Sequence, residues 1–202
     1  MIRERHKLPS MGDLHPLRIG RFTASMVGSL FMKPSTKGYQ DAIATVAFER
    51  MTGKRPEGGF SGNFWTDRGH ELEPWAVEQY EIDTFSTVHA GDFWTCGDWF
   101  GASPDGIVNP GGVFEGKAPR FATHMAYLDA GVLPREYRWQ PVMQMLVTNR
   151  DWVDFQSYHP DLPPFRIRVN RDEKKETELL SALDIAVNKV NETVFNLEGV
   201  SA

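Results

Sequence analysis

Asp105, Glu115 and Lys117 fall within one short stretch, FGASPDGIVNPGGVFEGKAP (100–119), whose other residues are mostly apolar or small. Charged side chains are almost never fully buried unless they pair with one another or bind metal. NPGG (109–112) is a turn signal, so residues 100–108 and 112–117 are expected to form a β-hairpin that brings Asp105 close to Glu115. Glu115 and Lys117 share strand parity and should emerge on one face. Two hard oxygen ligands of this kind suit Mg²⁺, with Mn²⁺ as a substitute, because such ions bind through one or two carboxylates and leave room for water and a substrate phosphate. Lys117 would then orient or deprotonate a metal-bound water, or steady charge building on the phosphate. That is equipment for hydrolysing a phosphodiester. The competing reading is an exposed hairpin with ordinary surface charges, since a bare D…ExK spacing arises by chance.

The flanking sequence has to hold that hairpin in place. TASMVGSLF (23–31) predicts a short helix with Thr23 or Ser25 as its N-cap, ending before Pro34. QDAIATVAFERMTG (40–53) predicts a second helix, with Ile43, Val46, Ala47 and Met51 near helical spacing and Gly53 at the stop. GGFSGNFWTDRG (58–69) has the composition of a loop, and HELEPWAVEQYE (70–81) that of a helix with Leu72, Ala76 and Tyr80 in one apolar row. Strands are expected at 84–89, 91–96, 99–108 and 112–117. A helix follows at 123–131, stopped by Gly131. The next, at 135–149, should kink or restart at Pro141. Strands at 151–160 and 165–170 precede a long helix, 171–199, with Leu179, Leu183, Ala186, Val190 and Val194 on one face. This order favours an α/β (α+β) fold in which a central mixed β-sheet is flanked by helices.

The chain of 202 residues is expected to form one domain, 1–202, with 41% hydrophobic and 24% charged residues. The single cysteine, Cys96, excludes a disulfide framework and any four-cysteine zinc or iron–sulfur site. No run has the length of a membrane span, and MIRERHKLPSMGDL lacks the apolar core of a signal peptide. A cytoplasmic location is therefore expected, the host cytoplasm if the protein is phage-encoded. The net charge of −5 conceals ten Lys/Arg against four acids in residues 1–55. A basic arm before an acidic body suits a protein that grips an anion at one end and holds cations elsewhere, although an uneven solvated surface has the same composition.

Four segments in order, LRIGRFTAS (17–25), RGHELEPWAVEQY (68–80), GASPDGIV…VFEGKAP and YRWQPVMQMLVT (137–148), resemble the PD-(D/E)XK nuclease superfamily. The resemblance is to its lambda-exonuclease-type branch, the YqaJ-like viral recombinase nucleases, and spans nearly the whole chain. It implies a restriction-endonuclease-like core and a Mg²⁺-dependent 5′→3′ exonuclease. Such an enzyme degrades one strand from double-stranded DNA ends and leaves 3′ overhangs for recombination. It also implies a single-strand annealing recombinase as partner and a homo-oligomer, a ring-shaped trimer as in the lambda enzyme. Alternatives are a PD-(D/E)XK endonuclease with another DNA substrate and a catalytically silent DNA-end binder.

By the same resemblance, Asp105, Glu115 and the main-chain carbonyl of Gly116 would hold the metal, with Lys117 orienting water. Glu73 would complete the acidic site directly or through a metal-bound water, with Glu71 as its nearby competitor. Gln140 matches a glutamine near the catalytic lysine or the scissile phosphate, and Gln144 shares its face one turn on. Arg18, Ser25 and Ser103 resemble the residues that receive a 5′-terminal phosphate. The bland alternatives are a surface arginine and a capping serine. Phe60, Phe64 or Trp65 would either wedge against bases at a duplex end or pack in the core. His70, His89, His124 and His159 show no ligand spacing.

Overall fold

The computed structural model describes residues 1–8, 15–57 and 64–200, with the backbone alone at 64–70 and 200. Its chain order is β1 (Arg3–His6), β2 (Phe22–Thr23), α1 (Lys37–Thr52), α2 (Phe64–Thr84), β3 (Val88–Ala90), β4 (Phe93–Cys96), β5 (Phe100–Ala102), β6 (Gly106–Val108), β7 (Gly112–Lys117), α3 (Phe121–Ala130), α4 (Gln140–Thr148), β8 (Trp152–Ser157), β9 (Phe165–Asn170) and α5 (Glu173–Val200). The strands form two mixed sheets, one ordered β1-β4-β5-β2 and the other β3-β6-β7-β8-β9. Helices flank both.

The helices follow their local chemistry. Asp172 accepts from the backbone N–H groups of Lys174 and Lys175 at the start of α5, and Leu179, Leu183, Ala186 and Val190 are wholly buried along one face. α1 ends at Gly53 in the left-handed conformation, with φ 65°. α4 starts at Gln140 with Pro141 in its first turn, where a missing N–H costs no hydrogen bond. Pro141 therefore starts this helix rather than kinking it. α4 is buried from Pro141 to Thr148 and packs against both sheets. The main core joins α1, α4 and α5 with Phe22, Val27, Cys96 and Ala102.

The two sheets share one bent ribbon. Val88 faces Val108 and Ala90 faces Gly106 in one sheet; Trp94 faces Ala102 and Cys96 faces Phe100 in the other. This is a single antiparallel register carried through both pairs of strands, so the same pairing sets Gly91 opposite Asp105 and Phe93 opposite Ser103. The ladder is interrupted at the bend, where Asp92 has φ 57° and Pro104 lacks an N–H.

Several sequence expectations are corrected here. The strand expected at 99–108 is split by the bend, and only β6 pairs with β7; β5 pairs with β4 and β2. The helix expected at 23–31 is a strand followed by a 3₁₀ turn, Val27–Phe31. Phe22 N–H bonds Trp99 O and Ala24 N–H bonds Gly101 O, so the sheet takes the donors a helix would have left free. The residue at the cap of that turn is Met26, and neither Thr23 nor Ser25 caps it. Residues 64–69, expected as loop, begin α2, which continues to Thr84 and displaces the start of the strand expected at 84–89. Residues 58–63, with Phe60, lie outside the described residues, as do the side chains of Phe64, Trp65 and His70.

Candidate active site

Asp105 sits at the bend, one residue before β6, and Glu115 sits on β7. Gly106 faces Phe114, so the continuing register sets Asp105 opposite Glu115. The two are tied through the backbone: Gly116 N–H donates to Asp105 Oδ2 at 2.7 Å. Glu115 is buried, at 2% exposure, and both its oxygens are occupied. Lys117 Nζ and Gln140 Nε2 donate to Oε1, and Gln144 Nε2 donates to Oε2. Strand parity joins Glu115 to Lys117, and helical spacing brings both glutamines of α4 to the same carboxylate.

Electrostatics there are unbalanced. Desolvation pushes the Asp105 carboxyl well above the ordinary range; Glu115 adds to this, Lys117 opposes it, and Glu73 contributes a smaller upward push. Burial alone would lower the Lys117 ammonium, but the adjacent Glu115 and Asp105 outweigh it and raise its pKa. Tyr137, whose ring centroid lies 5.7 Å from Lys117 Nζ, is raised by burial and pulled back by that lysine. Lys117 thus stays cationic beside two crowded carboxyl groups. Glu73 is half-buried and Glu71 exposed, and of the two it is Glu73 whose charge bears on Asp105.

Arg18, Ser25 and Ser103 come together with this group. A cavity of about 190 Å³ is lined by Arg18, Thr23, Ala24, Ser25, Ser103, Asp105, Glu115, Lys117 and Gln140. Arg18 is half-buried, with its guanidinium 5.7 Å from the centroid of Phe93, the residue that the ribbon register sets opposite Ser103. Burial lowers the Arg18 pKa, and nearby Arg55 lowers it further. Thr23 Oγ1 lies 3.4 Å from Ser25 Oγ. The cavity therefore joins carboxyl groups with a guanidinium, an ammonium and hydroxyls in one lining.

Among the described residues no group of three or more His, Cys, Asp or Glu is arranged to hold a metal. The donor set present is two crowded carboxylates in a polar cavity, with Glu73 nearby. This fits a small hard cation that takes only one or two protein carboxylates and completes its shell with water and substrate. It does not fit a closed all-protein cage.

Sequence reasoning gave no site role to Thr23 or Tyr137 and did not foresee the network that holds α2. Tyr80 hydroxyl donates to Asp154 at 2.7 Å, Arg168 grips both oxygens of Asp154, and Gln156 Nε2 donates to Ala76 O at 2.7 Å. These bonds seat the helix that carries Glu73. His124 is fully buried, bonded to Ser157 Oγ and Pro163 O, which suits a packing role.

Residues 13–151 match the model of the YqaJ-like viral recombinase domain. Among solved structures, the chain is similar to LHK-Exo in complex with dAMP, at 30% identity and TM-score 0.83, covering 92% of this chain and 95% of that one. It is also similar to the alkaline exonuclease LHK-Exo from Laribacter hongkongensis, at 31% identity and TM-score 0.81 over 91% and 94% of the two chains. A phage-related exonuclease from Haemophilus somnus 129PT shares the fold at 14% identity, TM-score 0.70, over 88% and 96%. No curated protein matches the chain significantly. With a family model matching residues 13–151, well over half of the sequence, the chain belongs to the YqaJ-like viral recombinase family.

Proposed function

We propose that residues 1–202 form one exonuclease unit that uses Mg²⁺, or Mn²⁺ in its place, to degrade one strand of double-stranded DNA 5′→3′ from an end, leaving 3′ overhangs for recombination. The observation that carries this reading is that one cavity is lined both by the carboxyl groups of Asp105 and Glu115 and by Arg18, Ser25 and Ser103. The similarity to an alkaline exonuclease supports the same reaction class.

In this reading Asp105, Glu115 and the Gly116 carbonyl hold the cation, and Glu73 completes the acidic set. When bound, the cation supplies Lewis acidity and a nucleophilic water near neutral pH. Lys117, as an ammonium, donates to the attacking water or to a phosphate oxygen and offsets the charge that develops there. Gln140 and Gln144 fix the Glu115 carboxylate, and Gln140, at the cavity wall, also reaches toward the scissile phosphate. Arg18 offers a planar fork to a terminal phosphate, with Ser25 and Ser103 adding hydroxyl donors. A 5′-phosphate held there sets the next bond against the carboxylates and gives the enzyme its polarity. A ring-shaped homotrimer would keep a net-negative protein on DNA by enclosure, and a single-strand annealing recombinase would receive the exposed strand.

The test is digestion of linear duplexes labelled at either end, beside a closed circle, with and without Mg²⁺. Mg²⁺-dependent loss of the 5′-terminated strand from linear DNA alone is expected. Cutting of the circle would point to an endonuclease, and no cutting at all to a DNA-end binder.

A further inference from the structure

The bend that carries Asp105 rests on a bare backbone. The two crossing segments come close together at Gly91. A Cβ built there would lie 1.8 Å from Pro104 O, 2.7 Å from Pro104 C and 3.1 Å from Asp105 C. All three are main-chain atoms, so no side-chain rotation relieves the overlap. Gly91 is also the residue that the ribbon register sets opposite Asp105.

The corner around Gly91 is itself held from three directions. Trp94 Nε1 donates to Gly91 O at 2.8 Å. Arg5 donates through Nη2 to Ala90 O at 2.9 Å and through Nε to Asp92 Oδ2 at 2.8 Å. Leu8 N–H reaches Asp92 Oδ1 at 3.4 Å. Asp92 keeps a left-handed backbone, φ 57°, that side-chain-bearing residues seldom adopt without support. β1 thereby latches the corner, and the corner meets the segment that aims Asp105.

We infer that Gly91, locked in place by Arg5 through Ala90 and Asp92, is a positioning residue for Asp105. Its missing side chain lets Pro104–Asp105 close onto the corner, where Asp105 Oδ2 meets the Gly116 N–H. The inference rests on the proposed metal-binding role of Asp105. Displacing that bend moves Asp105 relative to Glu115 and the Gly116 N–H.

The experiment is calorimetric titration of Mn²⁺ into the wild type and three variants, each with its melting temperature recorded in the absence of metal. Gly91→Ala should weaken Mn²⁺ binding about 10-fold or more, the range in which residues supporting a ligand act. Gly112→Ala is the steric control. Its Cβ would meet the Trp152 ring at 2.1 Å, at the end of β7 away from Asp105, so it should lower the melting temperature and keep wild-type Mn²⁺ affinity. Arg5→Gln decides the matter if Gly91→Ala does not fold, because the Arg5 side chain is 42% exposed and its loss leaves the core intact. It should weaken Mn²⁺ binding measurably, about 2-fold or more. Folded Gly91→Ala with wild-type affinity overturns the inference, as does unchanged affinity in Arg5→Gln when Gly91→Ala is unfolded. A wild type that binds no Mn²⁺ overturns the metal reading beneath it.

Discussion

Asp154 and Glu115 lie on neighbouring strands of one sheet and face opposite sides of it. β7 and β8 run parallel, with Phe114 opposite Asp154 and Glu115 opposite Phe155, so the two acids differ by one step of strand parity. Both are buried, at 3% and 2% exposure. Their surroundings differ. Asp154 is matched by one guanidinium gripping both its oxygens and by the Tyr80 hydroxyl. Burial and the bond to Asp154 push the Tyr80 hydroxyl well up, so it remains a donor at any ordinary pH. Glu115 shares a single ammonium with Asp105, with Glu73 also bearing on the group. A structural acid is neutralised by its own neighbours, whereas Asp105 and Glu115 crowd one ammonium, so ionising both is unfavourable unless a further cation joins them.

The sharpest way to break this comparison is to neutralise one acid on each face. Asp105→Asn should remove nearly all cleavage, about 10³-fold or more, because an amide cannot supply the anionic ligand charge a hard cation needs. The same change should stabilise the metal-free protein. The Asp105 carboxyl titrates well above its ordinary value of 3.8 in the fold, so its ionised form costs stability above the folded pKa. That cost fades as pH falls through the folded pKa and is absent below the ordinary value. The melting-temperature gain of Asp105→Asn should therefore be largest at neutral pH and shrink on acidification. A gain that grows in acid would contradict the crowding argument.

A second effect sharpens the division within the cavity. Arg18→Ala should lose about 10- to 100-fold of any preference for 5′-phosphorylated over 5′-hydroxyl ends, the equivalent of one charged hydrogen bond of roughly 1.5–3 kcal/mol. Its metal requirement should not change. Initial rates on the two substrates measure this, and an unaltered ratio would mean that the terminal phosphate is received elsewhere.

On the structural face the expected effects are smaller. Tyr80→Phe removes one donor to Asp154 and should cost about 1–2 kcal/mol in denaturant unfolding. Cleavage per folded molecule should stay near wild type, since Arg168 still holds the carboxylate. A large loss of turnover with little loss of stability would mean that α2 transmits more than its seat.

What was legible in the sequence follows this division. Strand parity and the NPGG turn are local, and they brought Asp105, Glu115 and Lys117 together before any coordinates. The break in the helical run at Pro141, though not whether it would be a kink or a start, and the buried row of α5 were also legible, because a missing N–H and a four-residue spacing act within one element. The bend at Gly91 and Pro104 was not, since an alternating run looks the same whether it lies in one sheet or crosses between two. Nor was the contact of Tyr80 with Asp154, which are 74 positions apart. The helix expected at 23–31 failed for a related reason: β5, far along the chain, takes its backbone donors. Pairings set by distant partners leave no periodic trace.

The most direct test of the contrast between the two faces is Mn²⁺ binding to wild type, Asp105→Asn and Asp154→Asn, measured by calorimetry on folded protein at neutral pH. The crowding of Asp105 and Glu115 around one ammonium predicts that wild type binds, that Asp105→Asn loses about 10-fold or more in affinity, and that Asp154→Asn binds as wild type does despite a lower melting temperature. Wild-type affinity in Asp105→Asn, or an equal loss in Asp154→Asn, would contradict the assignment of the Asp105–Glu115 pair as the metal centre.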